Sequence, residues 1–143
     1  MSVELPFAPV DTIIRRHAGD LRVSAGAAEA LARRIQDHGA DLAVGAAERA
    51  DADGRKTLMA ADFDVETVPD PDSLTLPIAP VDRIARLQLD DRVRVSADAR
   101  AALAAILEDW AEEVAEGAHT LAHHAGRRTI QAEDVETYLA LTA

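Results

Sequence analysis

Cysteine is absent from all 143 residues, so neither a disulfide framework nor a thiolate metal site can be built, and a reducing intracellular setting is expected. Aromatic residues make up only 3% of the chain, which removes the large rings that usually dominate a core. Lysine is reduced to Lys56 alone, against fourteen arginines. No apolar run approaches the roughly 18 residues of a membrane span, and the chain does not open with a charged start followed by an apolar stretch. These absences point to a soluble intracellular protein. What is abundant is alanine, within a 48% apolar fraction, and that mixture favours helices with narrow, close-packed seams. The length allows one ordinary domain or two very small ones. A net charge of −11 and a pI near 4.7 argue, taken globally, against nucleic acid as a partner, although where the charges lie matters more.

The chain says nearly the same thing twice. Leu5-Pro6-Phe7-Ala8-Pro9-Val10-Asp11 returns as Leu76-Pro77-Ile78-Ala79-Pro80-Val81-Asp82, Arg22-Val23-Ser24-Ala25 as Arg94-Val95-Ser96-Ala97, and Gly54-Arg55-Lys56-Thr57 as Gly126-Arg127-Arg128-Thr129. At a register of 71 residues from Leu5 to Arg15, then 72 from Arg22 to Asp62, 26 of 52 aligned positions are identical. A unit of about 65 residues repeated only twice is too long for a helical solenoid and reads as a duplicated small domain.

Each copy carries the same punctuation. A short amphipathic helix opens at Ala8-Pro9 or Ala79-Pro80, with proline expected at the first helical position, where its missing N–H costs nothing. Ser24 and Ser96 stand as N-caps of a second helix. From Ser96 to about His124 no proline intervenes, and Ala99, Leu103, Ile106, Trp110, Val114, Gly117 and Leu121 form one helical stripe. In the first copy Leu31, Ile35, Leu42 and Gly45 repeat it, with His38 and Arg49 standing where Trp110 and Leu121 stand in the second. Gly54 and Gly126 end these helices through a left-handed turn. A last short helix is expected near Met59 to Val65 and again from Gln131 to Leu141. A rod of about 43 Å, at 1.5 Å per residue, is too long for short flanking helices to cover, so a second long helix must pack on it. The segment from Thr67 to Ser73, rich in proline and aspartate, reads as an extended linker.

Taken in order, these features resemble the histone fold, and specifically the archaeal histones. The run from Leu76 to Ile84, Arg-Val-Ser at Arg94, and Ala-His-His-Ala-Gly-Arg-Arg-Thr-Ile-Gln-Ala-Glu-Asp from Ala122 carry the likeness, and the two copies extend it over nearly the whole chain. The resemblance implies an all-α protein with two histone folds in one chain, residues 1–67 and 76–143 about a linker at 68–75, clasped as an intramolecular handshake pseudo-dimer. It implies an architectural histone that binds and bends double-stranded DNA without strong sequence preference. Such a protein is chromosome- or nucleoid-associated in the cytoplasm and is not an enzyme. No cofactor or metal is expected. The alternative is an acidic histone-fold regulator or scaffold acting mainly through protein partners, transcription proteins among them. The lysine-poor acidic composition resembles the proteomes of salt-loving archaea.

By the same resemblance, Arg22 and Arg94 match the loop arginine that enters the minor groove. Arg55, Lys56, Thr57, Arg127, Arg128 and Thr129 match the second loop, which approaches phosphates, while Arg15, Arg83 and Arg86 match first-helix contacts. Eleven of the fifteen basic residues lie in the first helices or the loops. Asp11, Asp82, Asp51 and Asp53 depart from the family pattern and are expected to weaken DNA binding by the N-terminal half, where Thr12 also replaces the counterpart of Arg83. Leu121, His124 and Asp134 match the face through which dimers of the family pair. Arg49, Ala52 and Asp62 stand at the same places in the first copy, so self-association of two chains through the second fold is expected. Arg55 with Asp62, and Arg127 with Asp134, match a salt bridge that braces the second loop.

Other groups carry less. His119 and His123, four apart on a helix, follow Glu116 as half of a carboxylate-bridged di-metal motif, but its second half is missing. They read as a histidine face, Glu112, Glu113 and Glu116 as a solvated face, and Trp110 as a seam residue.

Overall fold

The computed structural model describes residues 2–143. Helices α1 (Phe7–Arg16) and α2 (Ala25–Ala52) are followed, after two single 3-10 turns at Ala60–Phe63 and Pro71–Ser73, by α3 (Ile78–Arg86), α4 (Ala97–His124) and α5 (Ala132–Thr142). Four two-residue strands lie between them: β1 (Arg22–Val23), β2 (Thr57–Leu58), β3 (Arg94–Val95) and β4 (Thr129–Ile130).

Local chemistry accounts for the element boundaries. Pro6 and Pro77 cap α1 and α3, so Pro9 and Pro80 fall in the third helical position rather than the first expected from the sequence. That position is equally tolerant, because the first four N–H groups of a helix have no partner within it. Ser24 and Ser96 do cap the long helices: each hydroxyl oxygen accepts from the N–H three residues on, Ala27 and Ala99, at 3.0 Å. Gly54 and Gly126 adopt φ +73°, and Arg55 and Arg127 donate their N–H back to the carbonyls of Ala50 and Ala122 at 2.8 and 3.1 Å, closing each long helix with a six-to-one bond.

Strand pairing crosses between the copies. β1 of the first copy runs parallel to β4 of the second, with Arg22 opposite Thr129, and β2 runs parallel to β3, with Thr57 opposite Arg94. The compact units follow this pairing and not the sequence repeat: one comprises the N-terminal residues to Leu5 with Gln36–Glu108, the other Pro6–Ile35 with Asp109–Ala143. Each unit thus takes part of both copies, as the handshake requires, and both long helices pass from one unit into the other.

The first unit buries Leu58, Leu76, Val81, Ile84, Leu103 and Leu107, the second Val10, Ile13, Ile14, Leu31, Ile35 and Ile130. Along α4 the buried line runs through Leu103, Leu107, Ala111, Val114, Ala118 and Ala122, while Ile106, Trp110, Gly117 and Leu121 of the expected stripe are only half-buried. Beyond Leu107 alanine makes most of the seam, and Ile106, Trp110 and Leu121 flank it. Trp110 therefore borders the seam. In the first copy His38 occupies the corresponding position, and burial, partly offset by Asp41, holds its imidazole below the ordinary pKa.

Two buried polar residues 72 positions apart have the same task in the first unit. Gln36 accepts from Glu4 N–H at 2.7 Å and donates to Ser2 O at 3.1 Å, while Glu108 accepts from the N–H groups of Thr75 and Leu76 at 2.6 and 2.8 Å. Each pins the segment that leads into a first helix. The linker is accordingly not simply extended: Asp70 caps the turn at Pro71–Ser73 by accepting from Asp72 N–H at 2.9 Å, and Glu108 then fixes its exit. A second departure is the last helix of the first copy. Met59 to Val65 form one 3-10 turn, Ala60–Phe63, where the second copy has the eleven-residue α5.

Candidate nucleic-acid interface

The helix-ending glycines place an arginine immediately after the turn in each copy, and both arginines are spent inside the protein. Arg55 donates from both Nη atoms to the two carboxylate oxygens of Asp62 at 2.9 Å and from Nη1 to Thr57 O at 3.0 Å. Arg127 bonds the two oxygens of Asp134 in the same bidentate manner and reaches Thr129 O at 3.3 Å. The aspartates are 4% and 2% exposed and also accept from the N–H of Met59 and Gln131 at 2.8 and 2.7 Å. The Arg55 hydrogen bond lowers the Asp62 pKa and outweighs its burial. For Asp134 burial is the largest influence and acts upward, but the bonds from Arg127 and Gln131 together leave it lowered. Each brace ties a second loop to the element that follows it.

This bracing presents the neighbouring basic residues. Arg22 N–H donates to Arg128 O at 2.8 Å, and Arg94 N–H to Lys56 O at 2.8 Å, so each strand pair holds a first-loop arginine beside a second-loop cation. Arg22, Arg94, Arg128 and Lys56 are exposed. Among the described residues no carboxylate lies within ion-pair distance of Arg22, Arg94 or Arg128, whereas Lys56 Nζ is 3.6 Å from Asp51. Thr57 and Thr129 are half-buried in register with these arginines. An open cleft of about 820 Å³ adjoins the β1–β4 pair, lined by Gly19–Arg22, His119, His123 and Gly126–Arg128.

The first-helix arginines are exposed but engaged. Arg15 lies 2.7 Å from Asp11, Arg86 3.1 Å from Asp82, and Arg83 2.9 Å from Glu4. Asp82 also holds Arg100 at 3.2 Å. Such surface pairs contribute little to stability, but they neutralise the cation locally. Asp11 and Asp82 thus each pair with a first-helix arginine of their own copy.

On the face expected for self-association, Leu121 is half-buried and His124 exposed, but Asp134 is buried and committed to Arg127 and Gln131. In the first copy Arg49 donates to Asp62 O at 2.5 Å and pairs with Asp64 at 3.3 Å. His119 and His123 stack at 6.0 Å between ring centroids, and among the described residues no three histidine or carboxylate side chains are grouped to hold a metal. Among the described residues no helix is long and apolar enough to cross a membrane. Sequence reasoning passed over two features: the part of His119 and His123 in the cleft, and the clamping by Gln36 and Glu108. The histidine spacing was visible, but its proximity to Gly19 and Arg22 arises only when the first loop of one copy meets the second loop of the other.

The model of the family described as histone-like transcription factor (CBF/NF-Y) and archaeal histone matches the chain twice, over residues 3–65 and 74–139. The chain belongs to this family. A curated relative, an archaeal histone of Thermococcus zilligii, is 53% identical over 60 residues, which are 42% of this chain and 87% of that protein. The crystal structure of the histone from Methanopyrus kandleri superposes with a TM-score of 0.69 at 30% identity, covering 94% of this chain and 92% of that one. The structural match therefore extends over both copies, and the two histone folds of this chain form the intramolecular counterpart of a handshake dimer.

Proposed function

We propose that this chain is an architectural histone that binds and bends double-stranded DNA with little preference for sequence. One observation carries the reading: Arg22 and Arg94 are exposed, free of carboxylate partners among the described residues, and each held by parallel strand pairing beside a second-loop cation, Arg128 or Lys56. An arginine on a rigid loop beside phosphate-binding groups suits minor-groove insertion, which recognises groove width more than base identity. The Thr57 and Thr129 hydroxyls and the exposed Arg15, Arg83 and Arg86 add phosphate contacts, the last three by exchanging a carboxylate for a phosphate. Arg55 and Arg127 act as positioning residues. Two histone folds, 1–67 and 76–143, joined by the linker at 68–75, bring two such loop pairs in one molecule, and two chains associate through Leu121 and His124 of the second fold.

Fluorescence polarisation with a labelled duplex across a salt series tests this. The parent loses affinity with a slope of about −0.9 per phosphate contact on a log–log scale, and Arg22→Ala combined with Arg94→Ala weakens binding to every sequence alike. A double variant indistinguishable from the parent sinks the proposal. The net charge of −11 favours one second reading, an acidic histone-fold regulator or scaffold working through protein partners, transcription proteins among them, at scattered loci. Regular nuclease-protected footprints on reconstituted DNA support the architectural protein, and unprotected DNA at saturation supports the regulator. Light scattering that reaches two chains and stops supports association through the second fold.

A further inference from the structure

We propose that the two loop pairs are unequal phosphate-binding sites: the β1–β4 pair, enlarged by His119 and His123, is the principal DNA contact, and the β2–β3 pair is an auxiliary one restrained by its own carboxylates. This rests on the DNA-binding reading and deepens it.

The cleft beside β1–β4 holds Arg22, Arg128 and the stacked imidazoles of His119 and His123, with Asp20 as the one carboxylate in its lining. Gly19, at φ +58°, brings the first-loop backbone against the histidines: a Cβ there would stand 3.5 Å from His119 Nε2. At the 72-residue register His119 becomes Ala47, His123 becomes Asp51 and Arg128 becomes Lys56. The first loop of the second copy brings Asp90 and Asp91 to this pair. The β2–β3 cations are correspondingly occupied, Lys56 by Asp51 at 3.6 Å and Arg92 by Asp90 at 3.2 Å. Hydrogen bonds from Arg92 hold Asp90 below the usual carboxylate range, so it stays anionic.

The charge sum decides between the pairs. With the braces Arg55–Asp62 and Arg127–Asp134 closed on either side, β1–β4 keeps Arg22 and Arg128 against Asp20, a sum of 2 − 1 = +1 before any histidine is protonated. On the same terms, with Asp53 on Arg55 set aside as Glu133 on Arg127 is, β2–β3 keeps Arg94, Lys56 and Arg92 against Asp51, Asp90 and Asp91, a sum of 3 − 3 = 0. High salt screens distant charges and leaves these contact groups as the ones that count. The weak site is therefore not the N-terminal half of the sequence: Arg22, from that half, belongs to the stronger pair, and Arg94, from the C-terminal half, to the weaker.

Imidazole donates one hydrogen bond when neutral and two when protonated, and an adjacent phosphate favours the protonated form. The groups facing His119 and His123 are Asp20 and Arg22 from the first loop and Arg127 and Arg128 from the second, with Glu116 one turn away on α4. A phosphate seated there draws a proton on binding, so affinity rises as pH falls.

Polarisation of the full chain on a labelled duplex, at several salt concentrations and between about pH 8 and about pH 6, separates the outcomes, with helical circular dichroism confirming that each variant is folded. Arg22→Ala with Arg128→Ala reduces the salt slope by about 2, and Lys56→Ala with Arg94→Ala by about 1. His119→Gln with His123→Gln removes the tightening at low pH, and Asp51→Asn with Asp90→Asn strengthens binding. Equal losses from the two arginine-containing pairs overturn the inequality while leaving DNA binding intact. A pH response that survives the histidine substitutions overturns their role, and an Asp51, Asp90 variant without gain overturns the restraint. A parent that binds no DNA at any salt overturns the functional reading itself.

Discussion

Gly39 and Gly45 lie six residues apart on α2, and the structure gives the same substitution different consequences at the two sites. A Cβ built on Gly39 would stand 2.8 Å from Ile84 Cγ2 and 2.9 Å from Leu107 Cδ1, both on fully buried side chains, whereas one on Gly45 meets nothing within 4 Å. Replacing glycine by alanine within a helix gains up to about 1 kcal/mol at either site, through helix propensity and a less free unfolded chain. At Gly39 the added carbon also overpacks a closed core, which costs about 1–3 kcal/mol. Gly45→Ala should therefore stabilise by about 1 kcal/mol, and Gly39→Ala should fall about 1–3 kcal/mol below it. At roughly 3 °C per kcal/mol for a chain of this size, the two variants should differ in Tm by about 3–9 °C. Thermal unfolding followed by circular dichroism, at fixed salt and protein concentration so that self-association does not intrude, reads this directly. If Gly39→Ala proves as stable as Gly45→Ala, the close approach of α2 to Ile84 and Leu107 is wrong.

Acid should unfold the protein through its braces. Asp62 and Asp134 have lowered pKa values in the folded state, so their contribution is present above the unfolded value near about 4 and is lost as pH falls through the folded values. Denaturant titrations in this range should show Asp134→Asn less stable at neutral pH and less sensitive to acid, and an unchanged acid slope in that variant contradicts the brace. Gly117→Ala would drive its Cβ into the Tyr138 ring, so it should dislodge α5, and Tyr138→Ala should relieve most of the loss in a double-mutant cycle. Independent effects that simply add would show that the ring does not lie over Gly117. Ser24→Ala and Ser96→Ala should each cost about 1 kcal/mol of stability in chemical denaturation, and a neutral result at both would refute the caps.

The caps and turns were legible because their chemistry is short-range. Ser24 needs only the N–H of Ala27, and Arg55 reaches an aspartate seven residues away. The brace was legible through the family resemblance, which matches Arg55 with Asp62 and Arg127 with Asp134 around the Gly-Arg-(Lys/Arg)-Thr loop, and the structure closes both pairs. The missing last helix of the first copy was less legible. Asp62 and its brace are retained, which invites the same element, but Asp64 turns left-handed at φ 60° and Pro69 and Pro71 follow, so the chain leaves after a single turn.

The sequence by itself determined that the protein is helical and doubled, and which arginines stand in loops, because periodicity, capping residues and an internal repeat are written residue by residue. Only the tertiary structure decided which alanines form the seam, since a methyl group fits any face and burial is assigned by what approaches it. It alone also decided which cations remain free. Arg22 and Arg94 occupy identical motifs, yet one shares a cleft with two histidines and the other lies beside a lysine held by Asp51, because strand pairing joins each copy's first loop to the other copy's second.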